Sequence, residues 1–201
     1  MNPTGLVTAL DMLATFSFAL VASKIAGLKG LDYGGIALVA AVASLAGGTL
    51  RNLFTGDRPP WLLNPWLLFA VLVAVMFTIW QRKAKEVGRF VLGLDTFGLA
   101  VATVSSANFA VGTGVGIVGS VILGLIGGVT GGLLRDVLCQ VEPVLLHRET
   151  IGTACLTGAI LYVGLDRLNV AEPISAVISG LMVILVREVS IKFDWHLPKM
   201  G

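Results

Sequence analysis

The sequence predicts an all-α membrane protein of seven transmembrane helices, arranged as an inverted 3+3 repeat plus one. Three observations carry that reading. Apolar residues make up 56% of the chain and charged residues 13%, against about 45–50% and about 25% in soluble domains. The charges cluster between seven long apolar runs, and a membrane span needs about 20 apolar residues. A glycine motif at the end of the second run returns 84 positions later at the end of the fifth, with no gap.

The first run, about Gly5 to Ser23, has no basic leader and carries Asp11. It is therefore read as a retained span, not a cleaved signal peptide. Lys24, Lys29 and Asp32 form a polar turn with Gly27 and Gly30. Span 2, about Tyr33 to Phe54, holds Ala46-Gly47-Gly48-Thr49-Leu50-Arg51-Asn52. The segment from Thr55 to Pro60 is a turn by composition. Span 3 runs from about Pro65 to Trp80, with Trp61, Trp66 and Trp80 placed as an interfacial aromatic belt would have them. A basic loop from Gln81 to Arg89 follows.

Span 4 covers about Phe90 to Asn108 and carries Asp95. Gly112, Gly114 and Gly116 make an uncharged connection. Span 5, about Ile117 to Leu138, holds Gly127-Gly128-Val129-Thr130-Gly131-Gly132-Leu133-Leu134-Arg135-Asp136. A loop opens at Glu142-Pro143 and ends at Arg148 and Glu149. Span 6 covers about Thr150 to Leu165. Span 7 covers about Pro173 to Val189, before a polar tail.

The echo extends along the chain. Val7, Leu10 and Asp11 match Val91, Leu94 and Asp95; Ala26, Gly30 and Gly35 match Ala110, Gly114 and Gly119; Pro59 matches Pro143. A period of this kind indicates internal duplication. One membrane domain, 1–201, thus divides into repeat one at 1–84 (spans 1–3), repeat two at 85–168 (spans 4–6), and span 7 with the tail at 169–201. Three is odd, so the second copy enters the bilayer from the opposite side. Such inverted repeats occur in transporters, with the functional path at the repeat interface. Lys24, Lys29, the Arg82–Arg89 cluster, Arg148, Lys192 and Lys199 share one side; the other has little beyond Arg58 and Arg167. The positive-inside rule puts the amino terminus outside and the carboxyl terminus in the cytoplasm.

Several function classes find no support. A net charge of +2 is too small to argue for nucleic acid. Cys139 and Cys155 lack metal-ligand spacing and read as small apolar residues. His147 and His196 form no cluster. No nucleophile–base pair, phosphate loop or dinucleotide fingerprint is present, so neither an enzyme nor a bound cofactor is expected.

The informative residues are the polar ones inside spans. Gly124, Gly128 and Gly132 recur at four-residue spacing, which by itself is the pattern of close helix packing. In both copies an arginine follows the glycines by one turn. A charge at mid-membrane costs about 2.5–3.5 kcal/mol, so such residues pair or face water. Topology puts Asp11 and Arg51 in one outer third, and Asp95 and Arg135 in the opposite one. One carboxylate–guanidinium contact per repeat is therefore expected, related by a pseudo-twofold axis. Between these levels Thr15, Ser17, Ser44, Thr49, Thr103, Ser105, Ser106 and Thr130 are candidates to line a path, with Asn108 ending span 4. Hydroxyls and carbonyls can replace part of a cation's hydration shell.

Duplicated three-helix units, a seventh helix and a glycine run ending in arginine resemble the trimeric intracellular cation channel family, prokaryotic branch. The stretch from Ala26 to Asp32, followed by Ala46 to Asn52, carries much of the likeness, which spans about residues 5–190. The resemblance implies a homotrimer with one pore per subunit, passing monovalent cations, K⁺ or Na⁺, and surrounded by membrane lipid. It implies that glycine kinks shape or gate the pore at Gly47, Gly48, Thr49 and Arg51, and at Thr130, Gly131, Gly132, Arg135 and Asp136. Here Ala46 stands where the family's first motif has glycine, and Asn52 where it has an acid. A secondary transporter of a small solute such as glycine is the alternative, and a membrane scaffold a third.

Overall fold

The structure is a computed structural model that describes residues 5–81, 89–141 and 150–193. Pro143, Arg148, both histidines, Lys199 and Arg82, Lys83 and Lys85 of the basic loop lie outside the described residues. Eight helices lie among them: α1 Gly5–Leu28, α2 Tyr33–Phe54, α3 Pro60–Leu63, α4 Trp66–Trp80, α5 Arg89–Gly112, α6 Ile117–Leu138, α7 Thr150–Arg167 and α8 Glu172–Lys192. Five of these, α1, α2, α5, α6 and α8, are long and apolar enough to cross a membrane. With apolar outward faces on these helices and on α4, including Leu38, Leu72, Met76, Val118, Leu181 and Leu185, the chain is a multi-pass membrane protein.

Two expectations need correction. A four-residue helix, α3, stands where the sequence suggested only a turn and its margin. Its first residue is Pro60, whose fixed φ suits a helix start. The third span lies where expected: α4, Trp66–Trp80, has 15 residues, about 22 Å at 1.5 Å per residue. Trp66 and Trp80 stand exposed at its two ends. Trp61 instead turns inward, and its indole N–H donates to the Thr49 hydroxyl at 3.2 Å.

Turn chemistry explains where the helices stop. Gly30 and Gly114 both adopt positive φ, 78° and 79°. Each closes its helix with the same pair of bonds: Leu31 N–H to Ala26 C=O and Gly30 N–H to Gly27 C=O, then Val115 N–H to Ala110 C=O and Gly114 N–H to Val111 C=O. That is the Schellman ending, which satisfies orphan carbonyls through a left-handed residue. Gly56 and Gln140, again 84 positions apart, close α2 and α6 in the same way. Asp32 caps α2 by accepting from Gly35 N–H at 2.7 Å.

Four helices form the centre. α1 and α5 run antiparallel, since Asp11 meets Ser105 while Ser17 meets Gly98. α2 and α6 run antiparallel too, since Gly47 meets Gly127 while Ala43 meets Gly131. α4 packs on α1 and α2, and α7 packs on α5 and α6. α8 packs on α7 and α5.

The glycines are what lets these helices meet. A methyl group on Gly47 would overlap the carbonyl oxygen of Gly127, and one on Gly131 would lie 2.7 Å from that of Ala43. Ala43 and Gly127 are themselves counterparts, so the α2–α6 crossing makes one contact twice. On the other side of α6, Gly127 presses on Ser106, Gly128 on Thr103 and Cys155, and Gly124 on Ala107 and Ala159. Both glycine helices run unbroken through their motifs.

Candidate functional site: two ionic clusters and the space between

Each end of the central four-helix group holds a buried arginine near a helix terminus. At the face where α1 begins, Arg51 is 1% exposed. Its Nη1 and Nη2 donate to Asp11 Oδ1 and Oδ2, both at 3.0 Å. This fork–fork pairing gives geometric specificity as well as energy. Nε donates to Asn52 Oδ1 at 2.9 Å. Asn52 in turn donates to the carbonyl of Arg58 at 2.7 Å, tying the α2–α3 loop to the cluster. Ser105 receives a bond from Nη1 at 3.2 Å and donates to Asp11 Oδ1. The Phe109 ring lies 4.3 Å under the guanidinium carbon.

At the opposite face, Arg135 donates to Asp95 Oδ1 and, through Nε, to Asp136 Oδ1 at 2.8 Å. A third charge joins here. Arg187 of α8 donates to Asp95 Oδ2 at 2.7 Å. Both expected aspartate–arginine pairs are thus present, and the second is a bridge between two arginines.

Arg187 explains the asymmetry between the motifs. The first cluster holds Arg51 and Asp11, with the neutral Asn52 on Nε. The second holds Arg135 and Arg187 against Asp95 and Asp136. Each sums to zero formal charge. The acid at 136, where the first copy has an amide at 52, offsets the arginine that only the second cluster receives. Sequence reasoning missed Arg187 because α8 lies outside the period and has no counterpart to echo. An arginine one turn from a helix end is otherwise expected to snorkel toward headgroups.

Space is distributed along the same axis. A vestibule of about 360 Å³ opens at the first face, lined by Thr8, Asp11, Arg51, Asn52, Asp57 and Phe109 among others. Another of about 340 Å³ opens at the second face, lined by Lys29, Asp95, Arg135, Asp136 and Arg187 between apolar walls. Between them, at the α2–α6 crossing, a narrow cavity of about 30 Å³ is lined by Thr15, Ser44, Gly47, Gly48, Ser106 and Gly127 among others. It shares Asp11, Pro60 and Leu67 with the first vestibule. About 10–15 Å³ suffices for one water, so this cavity has room for a water or two.

The other expected lining residues are placed differently. Thr49, Thr103 and Thr130 donate to carbonyls of their own helices, at Leu45, Leu99 and Ile126. Hydroxyls within helices commonly bond back in this way. Gly48 lies under the Pro60 ring of α3, whereas Gly132 has only the Arg135 tip, at 3.8 Å, near its Cβ position. Asn108 donates to Glu172 at 2.7 Å, joining α5 to the start of α8. Cys139 and Cys155 are free, buried thiols. Among the described residues no group of His, Cys, Asp or Glu could hold a metal ion.

Ser105 offers a test of how the first cluster is held. Removing its hydroxyl by Ser105→Ala leaves both Arg51–Asp11 bonds in place and is expected to cost about 1 kcal/mol. Asp11→Ala leaves the Arg51 charge buried and is expected to cost several times more, about 3–5 kcal/mol. Thermal unfolding in detergent ranks the two, and equal losses would contradict this geometry.

Comparison with known proteins agrees with this architecture. A family model described as glycine transporter matches residues 8–83 and again 92–167, two stretches whose starts are 84 positions apart. The chain is 31% identical to the inner membrane protein YadS of Escherichia coli K12, a UPF0126 protein, over 96% of this chain and 94% of that one. It is similar to the crystal structure of the TRIC trimeric intracellular cation channel orthologue from Rhodobacter sphaeroides: 31% identity, 94% of this chain and 98% of that chain, TM-score 0.87. The chain belongs to the TRIC family. A second TRIC cation channel structure superposes with TM-score 0.84 at 28% identity, covering 96% of this chain and 97% of that one. In this TRIC family member the first cluster, the first vestibule and the α2–α6 crossing lie within the matched stretches, whereas the second cluster and its vestibule also draw on Arg187 of α8, beyond them.

Proposed function

We propose that the protein is a monovalent cation channel, potassium-permeable, working as a homotrimer in lipid with one pore through each subunit. The observation that carries this reading is the axial sequence of spaces: a vestibule at each face, each floored by a neutral ionic cluster, and a hydroxyl-lined cavity at the glycine crossing between them. The TRIC cation channels it resembles support the same reading. On this reading α1, α2, α4, α5, α6, α7 and α8 are the seven spans. The antiparallel packing of α1 with α5 and of α2 with α6 supports the inverted 3+3 repeat. Basic residues put the second vestibule on the cytoplasmic side of the cell membrane and the first outside. Glycine-rich crossings that let α2 and α6 bend or slide give the pore its shape or gate.

Single-channel recording in asymmetric potassium and sodium tests the proposal. Unitary current steps are expected, reversing toward the potassium equilibrium potential. Saturable uptake of glycine without current steps would instead support a secondary transporter. That second reading draws on the glycine-transporter family model and on the association of inverted repeats with transport.

A further inference from the structure

The 84-residue period makes a prediction the structure does not obey. If the halves matched, the narrow cavity on the first-face side of the crossing would have a twin on the second-face side. Its position is filled. Phe18, 4% exposed, puts its ring 3.3–3.4 Å from where a Cβ on Gly131 would lie, and 3.4–3.5 Å from the corresponding point on Gly98. The counterpart of Phe18 is Ala102, which lines the existing cavity. The hydroxyls are asymmetric as well. Thr15, Ser44 and Ser106 line that cavity, and their counterparts are Leu99, Gly128 and Ala22. The second half of the axis is therefore filled at this position and lacks the counterparts of those three hydroxyl groups. One helical turn beyond Phe18, Val21 already lines the second vestibule, together with Asp95.

We propose that Phe18 is the barrier of the path: an off-centre hydrophobic gate closing the central cavity from the second vestibule. Hydrophobic constrictions gate by dewetting. A ring held between two glycines, Gly98 and Gly131, is free of Cβ obstruction on both sides, so modest movement of α1 against α6 withdraws it. Gly131 then has a second task beside the Ala43 contact, as the floor on which the gate rests. The inference rests on the channel reading, but its test does not.

The test is accessibility of a cysteine placed in the central cavity by Ser44→Cys, in a chain with Cys139→Ala and Cys155→Ala. A charged thiosulfonate is applied from one face at a time to protein in sealed vesicles. With Phe18 present, labelling from the second face is expected to be slow. With Phe18→Ala it is expected to rise about tenfold or more, because a widened apolar constriction admits water. Phe18→Leu, which keeps much of the packing, is expected to fall between. Ala102→Phe is expected to slow labelling from the first face by filling the existing cavity. Equal second-face labelling across the Phe18 series, or rapid second-face labelling with Phe18 intact, overturns the gate. Recordings of the same variants separate the two claims. Altered labelling without current in any variant keeps the gate and removes the channel. Unitary currents with invariant labelling do the reverse.

Discussion

Asp95→Ala is expected to lower the stability of the folded protein by about 3–5 kcal/mol, the cost of leaving a buried charge without its partner. The carboxylate receives bonds from both Arg135 and Arg187. Its loss leaves two guanidiniums to share Asp136, with Arg187 only 2% exposed. Charge balance gives the check. Adding Arg187→Leu to Asp95→Ala restores a neutral Arg135–Asp136 pair, so the double variant is expected to be more stable than Asp95→Ala alone. Thermal unfolding of the purified protein measures both. A double variant as unstable as the sum of its singles would refute the coupling.

The second large effect separates neighbouring glycines. Gly47→Ala drives a methyl group into the Gly127 carbonyl at the α2–α6 crossing. Overpacking of this kind costs about 1–3 kcal/mol, occasionally more, and backbone on both sides leaves little to yield. Gly132→Ala meets only the flexible end of Arg135 at 3.8 Å. It is expected to be neutral or stabilising by up to about 1 kcal/mol, since alanine is the better helix former. The two substitutions are chemically identical and lie in matching motifs, yet opposite signs are expected. Melting temperatures compare them directly, and equal destabilisation would mean that the motifs matter as a whole rather than through single contacts.

Much of this was legible before any coordinates. The bounds of α2 and α6 were readable because each is an apolar run set off by turn residues, Asp32 and Gly56 around one, Gly116 and the Glu142-Pro143 pair around the other. The aspartate–arginine pairs were readable because uncompensated charge is costly in a bilayer, and topology left few partners. What escaped has physical causes too. α3 is four residues long, too short for any periodic signal. Ser105 and Phe109 act from α5 on an arginine in α2, and no local pattern reveals a side chain that serves another helix. Phe18 looked like one more apolar residue in an apolar run. Its meaning lies in the small residue at its counterpart, so only comparison of the two halves in space exposes it.

Arg187 has a consequence for how such a molecule could have arisen. A freshly doubled three-helix unit would carry the same motif at both ends, with an amide or an acid beside each arginine alike. Once α8 delivered a further cation to one end, the two ends stopped being interchangeable. Asp136 and Arg187 then became mutually dependent, since losing either unbalances a buried charge. The added helix is thus bound to the ancestral pair by electrostatics, and a chain cut before it would keep an acid at one end with one basic partner too few.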